Sequence, residues 1–263
     1  MNRIEKRMNE LKANGEKAFI TYITAGLPDM KATKEIVKAQ NGVTDVIELG
    51  IPFSDPIADG PVIQQASYEA ILNGASLSKT FDLMKELRSE GIEQPIVFMM
   101  YYNTVVNMGI DNFVAKCRET GVDGLIIPDL PMEEQENLKK ALDGDDTTIL
   151  IQLVSPVSKN RIPQILEGAR GFVYCVSSMG VTGQAADFHR EVLSYLEDVK
   201  TKSDIPVMMG FGIRTAEDIK PMKDIIDGAI VGSYFINLMR EKNFDPAAAK
   251  EYATTFKDEM AKL

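Results

Sequence analysis

Histidine occurs once in the 263 residues, at position 189, and tryptophan not at all. A zinc or non-haem iron site built on imidazole needs more than one histidine, which disfavours a metal-dependent aldolase. Ser-His-Asp hydrolysis would need His189 itself. That residue sits in Asp187-Phe188-His189-Arg190, which reads as the first turn of a helix after a glycine-rich loop, and so as a solvated surface position. Only two cysteines are present, Cys117 in a predicted helix and Cys175 in a predicted strand. They give no disulfide framework, and a reducing cytoplasm is the expected compartment. Long apolar runs are absent, so no membrane span is expected. Residues 1–17 are charged and lack the apolar core of a secretory signal; Ile4, Met8 and Leu11 instead space as a short amphipathic helix. Positive charge is the minority sign: 29 Lys and Arg against 39 Asp and Glu leave a net charge of −10. That balance argues against nucleic acid or an anionic membrane as the main partner. A phosphate ligand would have to be held by locally placed amides.

What is present is a regular alternation. Short apolar runs occur at Ala18–Thr24, Val46–Ile51, Pro95–Tyr101, Gly124–Ile127, Thr148–Val154, Phe172–Val176, Pro206–Met209 and Ala229–Val231. Amphipathic stretches lie between them, among them Met30–Gln40, Leu77–Glu90, Ile110–Glu119, Phe188–Val199 and Ala216–Met222, several ending at Asn-Gly or Gly stops. Nearly continuous apolar strands, each followed by a helix, imply a parallel sheet buried on both faces. Eight β/α units in this length predict a TIM barrel, a (β/α)8 fold, with an extra N-terminal helix and an extra helix near Val62–Asn73 after strand 2. A doubly wound open sheet is the alternative, but no Gly-x-Gly-x-x-Gly follows the first strand. A single domain is expected over residues 1–263.

In such a barrel the chemistry sits at the C-terminal ends of the strands. Strand 2 carries Glu48 where an aliphatic residue is expected and runs into Asp55-Pro56 and Asp59. An ionised carboxylate in an apolar strand costs several kcal/mol unless it is paired or used. Simpler roles exist for each: Glu48 bonded to backbone amides, Asp55 in a turn, Asp59 capping the helix that opens at Gly60-Pro61. Tyr101 ends strand 3, Asp129 and Pro131 follow strand 4, and Tyr174 lies on strand 6. Gly210-Phe211-Gly212 and Gly232-Ser233, after strands 7 and 8, together with Gly183, make the expected phosphate site, where amides and a helix start can approach an anion. The long small-residue loop Ser177–Ala186 beside it suits a lid. No lysine falls at a predicted strand end, which disfavours a Schiff-base aldolase and leaves carboxylates as the acid/base groups.

The string Ile47–Pro61, with Phe19–Pro28, Tyr101–Asn103, Gly121–Gly124, Pro128–Pro131, Gly180–Gly183, Gly210–Gly212 and Gly232-Ser233, resembles the tryptophan synthase α subunit family over nearly the whole chain. The resemblance implies a lyase that splits indole-3-glycerol phosphate into indole and glyceraldehyde 3-phosphate. It makes Glu48 the acid/base at indole C3 and at the glycerol hydroxyl, and Asp59 the acceptor of the indole N–H. Tyr101 and Tyr174 would line the site, with Gly183, Gly210, Gly212, Gly232 and Ser233 at the phosphate. It implies a β-subunit partner in an α2β2 complex facing Asp55, Pro56, Asp129 and Pro131, with pyridoxal phosphate held by that partner and no cofactor in this chain. Ser178 stands where some members carry a lid arginine, so charge-assisted lid closure is not expected from that residue. Another sugar-phosphate isomerase or epimerase, or a mainly regulatory subunit, are the alternatives.

Overall fold

A computed structural model describes residues 1–144, 146–176 and 185–263, with side chains from 190 onward in the last segment. Nine parallel strands are described: β1 (Ala18–Thr24), β2 (Val46–Gly50), β3 (Ile96–Met99), β4 (Gly124–Ile126), β5 (Ile149–Leu150), β6 (Gln152–Val154), β7 (Val173–Cys175), β8 (Val207–Met209) and β9 (Gly228–Val231). They are ordered β5-β4-β3-β2-β1-β9-β8-β7-β6. β5 and β6 are consecutive pieces of one strand interrupted at Ile151, whose amide still donates to Leu125 at 2.9 Å. The sheet therefore closes on itself, and the eightfold barrel read from the apolar runs is the fold.

Alternation within the strands separates two cores. Ala18, Ile20, Val46, Val97, Ile126, Phe172, Met208 and Ile230 fill the barrel, while Phe19, Ile47, Leu49, Phe98, Leu125 and Val231 pack outward under the helices. Burial on both faces is why the strands read as unbroken apolar runs. The N-terminal helix Arg3–Asn14, capped by Asn2 and closed by Gly15, drives Ile4, Met8 and Leu11 into the barrel's lower end. That plug removes any aqueous pore and leaves the opposite end as the mouth. The extra helix after β2 is Pro61–Leu72, tied to the helix Ser233–Glu241 by Glu69 and Arg240 at 3.0 Å.

Two differences from the sequence reading matter for the site. A seven-residue helix, Tyr102–Met108, follows β3 directly, where only strand-end chemistry was expected; its amphipathic period is too short to stand out. The stretch Ala216–Met222 is helical but 3-10, because Pro221 lacks the amide an α-helix would use. No helix of the described residues is long and apolar enough to cross a membrane.

Candidate active site

Glu48 lies in the middle of β2, paired in register with Tyr22 of β1 and Val97 of β3. Since Val46 faces the barrel interior, Glu48 two residues on does so as well. It is 1 % exposed, and its Oε1 is buried with no hydrogen-bond partner among the described residues. Among the described residues, no backbone amide bonds to its Oε1. Burial, with a smaller contribution from the charge of Asp59, pushes its carboxyl up to about 8. It is mostly protonated at neutral pH.

Asp59 sits on the loop above. Capping is not its role: the helix Pro61–Leu72 is capped by Gly60 without any side-chain bond. Instead the Tyr101 hydroxyl donates to Asp59 Oδ2 at 2.9 Å and accepts the Ala58 amide at 2.9 Å. The Tyr101 ring stacks on Phe53 with centroids 5.1 Å apart. The loop is thereby pinned to the end of β3, and the second carboxylate oxygen is left for a ligand. Burial raises the Asp59 carboxyl, and the Tyr101 bond opposes that.

Glu48, Asp59, Tyr174, Gly210, Gly212, Gly232 and Ser233 all line one cavity of about 720 Å³ at the barrel mouth. Pro131 reaches its rim. Tyr101 is not among the lining residues and acts on Asp59 from behind it. At Gly210 a Cβ would lie 2.4 Å from the Tyr174 ring, so the glycine is a seat for the tyrosine. Gly212, at φ +71°, turns the chain after β8 in a conformation that favours glycine. Asp129 is exposed and accepts the Tyr102 amide at 2.9 Å, at the start of the helix Tyr102–Met108. Asp55 is exposed and Pro56 buried on the loop between Glu48 and Asp59. Gly183, and the lid with Ser178, lie outside the described residues.

Tyr22 escaped the sequence reading. It is buried, lines the cavity and lies over Gly50, where a Cβ would meet its hydroxyl at 2.1 Å. The signal was available: Ala18, Ile20 and Tyr22 share the inward period of two. Met99, Ile126 and Ile230 complete an apolar wall beside the two acids. A flat aromatic group fits between that wall and the tyrosines, an anion fits at the glycine end, and two acids of raised proton affinity stand between.

The family profile described as tryptophan synthase alpha chain matches residues 8–263. The chain belongs to the tryptophan synthase alpha chain family. It is 61 % identical over 262 residues, 99 % of both chains, to the tryptophan synthase alpha chain of Lachnospira eligens. Identity to that of Alkaliphilus metalliredigens is 41 % over 99 % of this chain and 97 % of that one. Among solved structures, tryptophan synthase subunit alpha from Legionella pneumophila superposes with a TM-score of 0.88 at 33 % identity, covering 100 % of both chains. A tryptophan synthase complex from Pyrococcus furiosus matches at 0.80 and 32 % identity, over 94 % of this chain and 98 % of that one. The family's reaction is a lyase step of tryptophan biosynthesis, the cleavage of indole-3-glycerol phosphate. A sugar-phosphate isomerase is thereby set aside.

Proposed function

We propose that Glu48 and Asp59 perform the cleavage together. Glu48 begins protonated and gives its proton to indole C3 while Asp59 takes the N1 proton, which leaves a neutral ring that can accept an electron pair. The side-chain hydroxyl then loses its proton to the Glu48 carboxylate. Its C–O bond becomes the aldehyde, the bond to C3 breaks, and that pair returns through the ring to N1, reprotonated by Asp59. Protons balance over the cycle, and both acids are restored. The protein supplies no Schiff base in this scheme because the tautomerised ring is the electron sink. Tyr101 holds Asp59 facing N1, and Tyr22 and Tyr174 flank the ring plane. Amides near Gly212, Gly232 and Ser233, at the start of the helix Ser233–Glu241, hold the phosphate.

The observation that carries the reading is the buried Glu48 carboxyl, whose Oε1 has no partner among the described residues, sharing with Asp59 one cavity that ends in a run of glycines. Gly232→Asp tests the cradle. A Cβ at Gly232 meets nothing nearer than 3.7 Å, so the substitution adds charge without a clash. The KM for indole-3-glycerol phosphate should rise at least tenfold, with folding unchanged by circular dichroism. Parent-like KM would place the phosphate elsewhere.

We infer further that the mouth docks a tryptophan synthase β subunit in an α2β2 assembly in the cytoplasm, with pyridoxal phosphate held by that partner and none needed here. The support is the Pyrococcus furiosus complex together with an exposed apolar rim after the strand ends. Ile57, Val157, Val106 and Phe211 are 83, 86, 54 and 49 % exposed. Ile57 follows Asp55-Pro56 on one loop, Val106 lies on the helix whose first amide Asp129 accepts, and Phe211 lines the same cavity as Pro131; exposed apolar side chains of this kind mark interaction surfaces. Mixing with a matched β subunit should give co-elution on gel filtration and faster indole release. Separate elution and unchanged rate would overturn the docking.

A further inference from the structure

The cavity contains more positive charge than an amide cradle requires. Its described lining includes two cations, Arg161 and Arg214. Arg161 is committed, hydrogen-bonded to Glu133. Arg214 is different. It follows the Gly210–Gly212 turn by two residues, and its peptide is fixed on both sides: its amide donates to Asp218 Oδ2 at 2.9 Å and its carbonyl accepts the Tyr252 hydroxyl at 2.7 Å. Arg3, Arg7, Arg88, Arg170 and Arg240 each bind a carboxylate, whereas the Arg214 guanidinium makes no ion pair among the described residues. A fixed stem bearing an uncommitted guanidinium, next to the glycines that end the cavity, is an arrangement for a ligand anion.

We propose that Arg214 is a substrate-binding residue that folds over the phosphate and sets the preference for phosphorylated over unphosphorylated indole-glycerol substrates. The inference rests on the phosphate position given above. Guanidinium pairs with phosphate through two parallel N–H···O bonds, and in a chain of net charge −10 the local cation offsets the repulsion a dianion meets on approach. Arg214 is exposed at the mouth, so its contribution is screened by salt and is moderate in size.

The test compares parent, Arg214→Gln and Arg214→Lys for indole-3-glycerol phosphate turnover at low and physiological ionic strength. The same proteins are then titrated with indolepropanol phosphate and with indolepropanol. Arg214→Gln should raise KM about tenfold at low salt, with kcat within about twofold, and the gap should narrow as salt rises. Arg214→Lys should fall between. Indolepropanol affinity should not move, since that probe lacks the phosphate. An unchanged KM, or an equal loss for both probes, overturns the proposal. Gly232→Asp separates the two readings. If it weakens substrate binding and Arg214→Gln does not, only the arginine assignment fails; if neither variant matters, the phosphate position fails with it.

Discussion

At the barrel floor Asp45 takes two cations and a backbone amide, whereas at the mouth Glu48, as deeply buried, takes no partner for one of its oxygens. Asp45 receives Arg7 from the N-terminal helix and Lys257 from the helix Pro246–Met260, both at 2.7 Å. Asp123 receives Arg88 and Arg3. Asp227 receives Lys200. Each of these three stands one residue before a strand and accepts the first or nearby amide of a neighbouring one: Phe19, Ile96 and Val207. Among the described residues, the mouth has no such devices around Glu48 and only a tyrosine hydroxyl on Asp59. One end invests its carboxylates in holding strands and termini together. The other leaves Glu48 without a cation among the described residues, at a cost in stability, and under the proposed mechanism a carboxyl that gives and retakes a proton cannot be clamped by a guanidinium.

The largest break in that contrast is Glu48→Gln. General acid–base steps contribute on the order of 10²–10⁴-fold each, and Glu48 serves in two, so single-turnover rate should fall by at least about 10³ while substrate affinity holds. Stability should move the other way. The Glu48 pKa is raised on folding, from 4.5 to about 8, so the folded state loses stability as pH climbs between those values and stays at the lower level above them. Glutamine removes that loss, worth up to about 3 kcal/mol at pH 7 and nothing at pH 4. A higher melting temperature at pH 8 than the parent, merging with it at acid pH, is the signature; a destabilised and active variant would sink the assignment. In the parent, kcat should decline above about pH 8 as the proton donor is lost.

Smaller effects grade the same end of the barrel. Asp59→Asn keeps an oxygen for N1 but cannot take its proton, and turnover should drop about 10- to 100-fold. Tyr101→Phe leaves the acid in place and frees both Asp59 and the Ala58 amide, so kcat should fall only several-fold. Burial alone would then raise the Asp59 carboxyl further, shifting the acid limb of the pH profile upward. A profile unchanged from the parent would mean that Tyr101 does not orient Asp59.

How much of this could be read from residues follows the same division. The barrel was legible because its strands are buried on both faces, and eight apolar runs survive as plain text. Glu48 and Asp59 were legible because carboxylates interrupt such a run and its loop. Tyr22 was not, since a tyrosine in an apolar strand looks like packing until the inward period places it opposite Glu48. Arg214 was hidden for a related reason: nothing in Ile213-Arg214-Thr215 says that its backbone is held at both ends while its charge is free. The floor's ion pairs join residues up to 212 positions apart, Asp45 with Lys257, and no local pattern carries that information. Gly210 was read as phosphate chemistry, but its closest neighbour is the Tyr174 ring.

Asp45→Asn gives the smallest effect on turnover and tests whether the two ends are independent. Asparagine keeps an acceptor for the Phe19 amide but leaves Arg7 and Lys257 facing a neutral group. Removing one partner of a buried pair costs about 3–5 kcal/mol, less here because Arg7 is 35 % exposed and already reaches Glu10. A loss of about 2–3 kcal/mol and a fall in melting temperature of roughly 5–10 °C are expected. Lys257 and Arg7 belong to the two terminal helices, so the loss should appear first as faster amide exchange in both. Turnover per folded molecule should stay within about twofold of the parent, because Asp45 and its partners Arg7, Lys257 and the Phe19 amide lie outside the lining of the cavity that holds Glu48. If kcat falls with stability, the floor is positioning the acids, and the division of labour between the two ends is wrong.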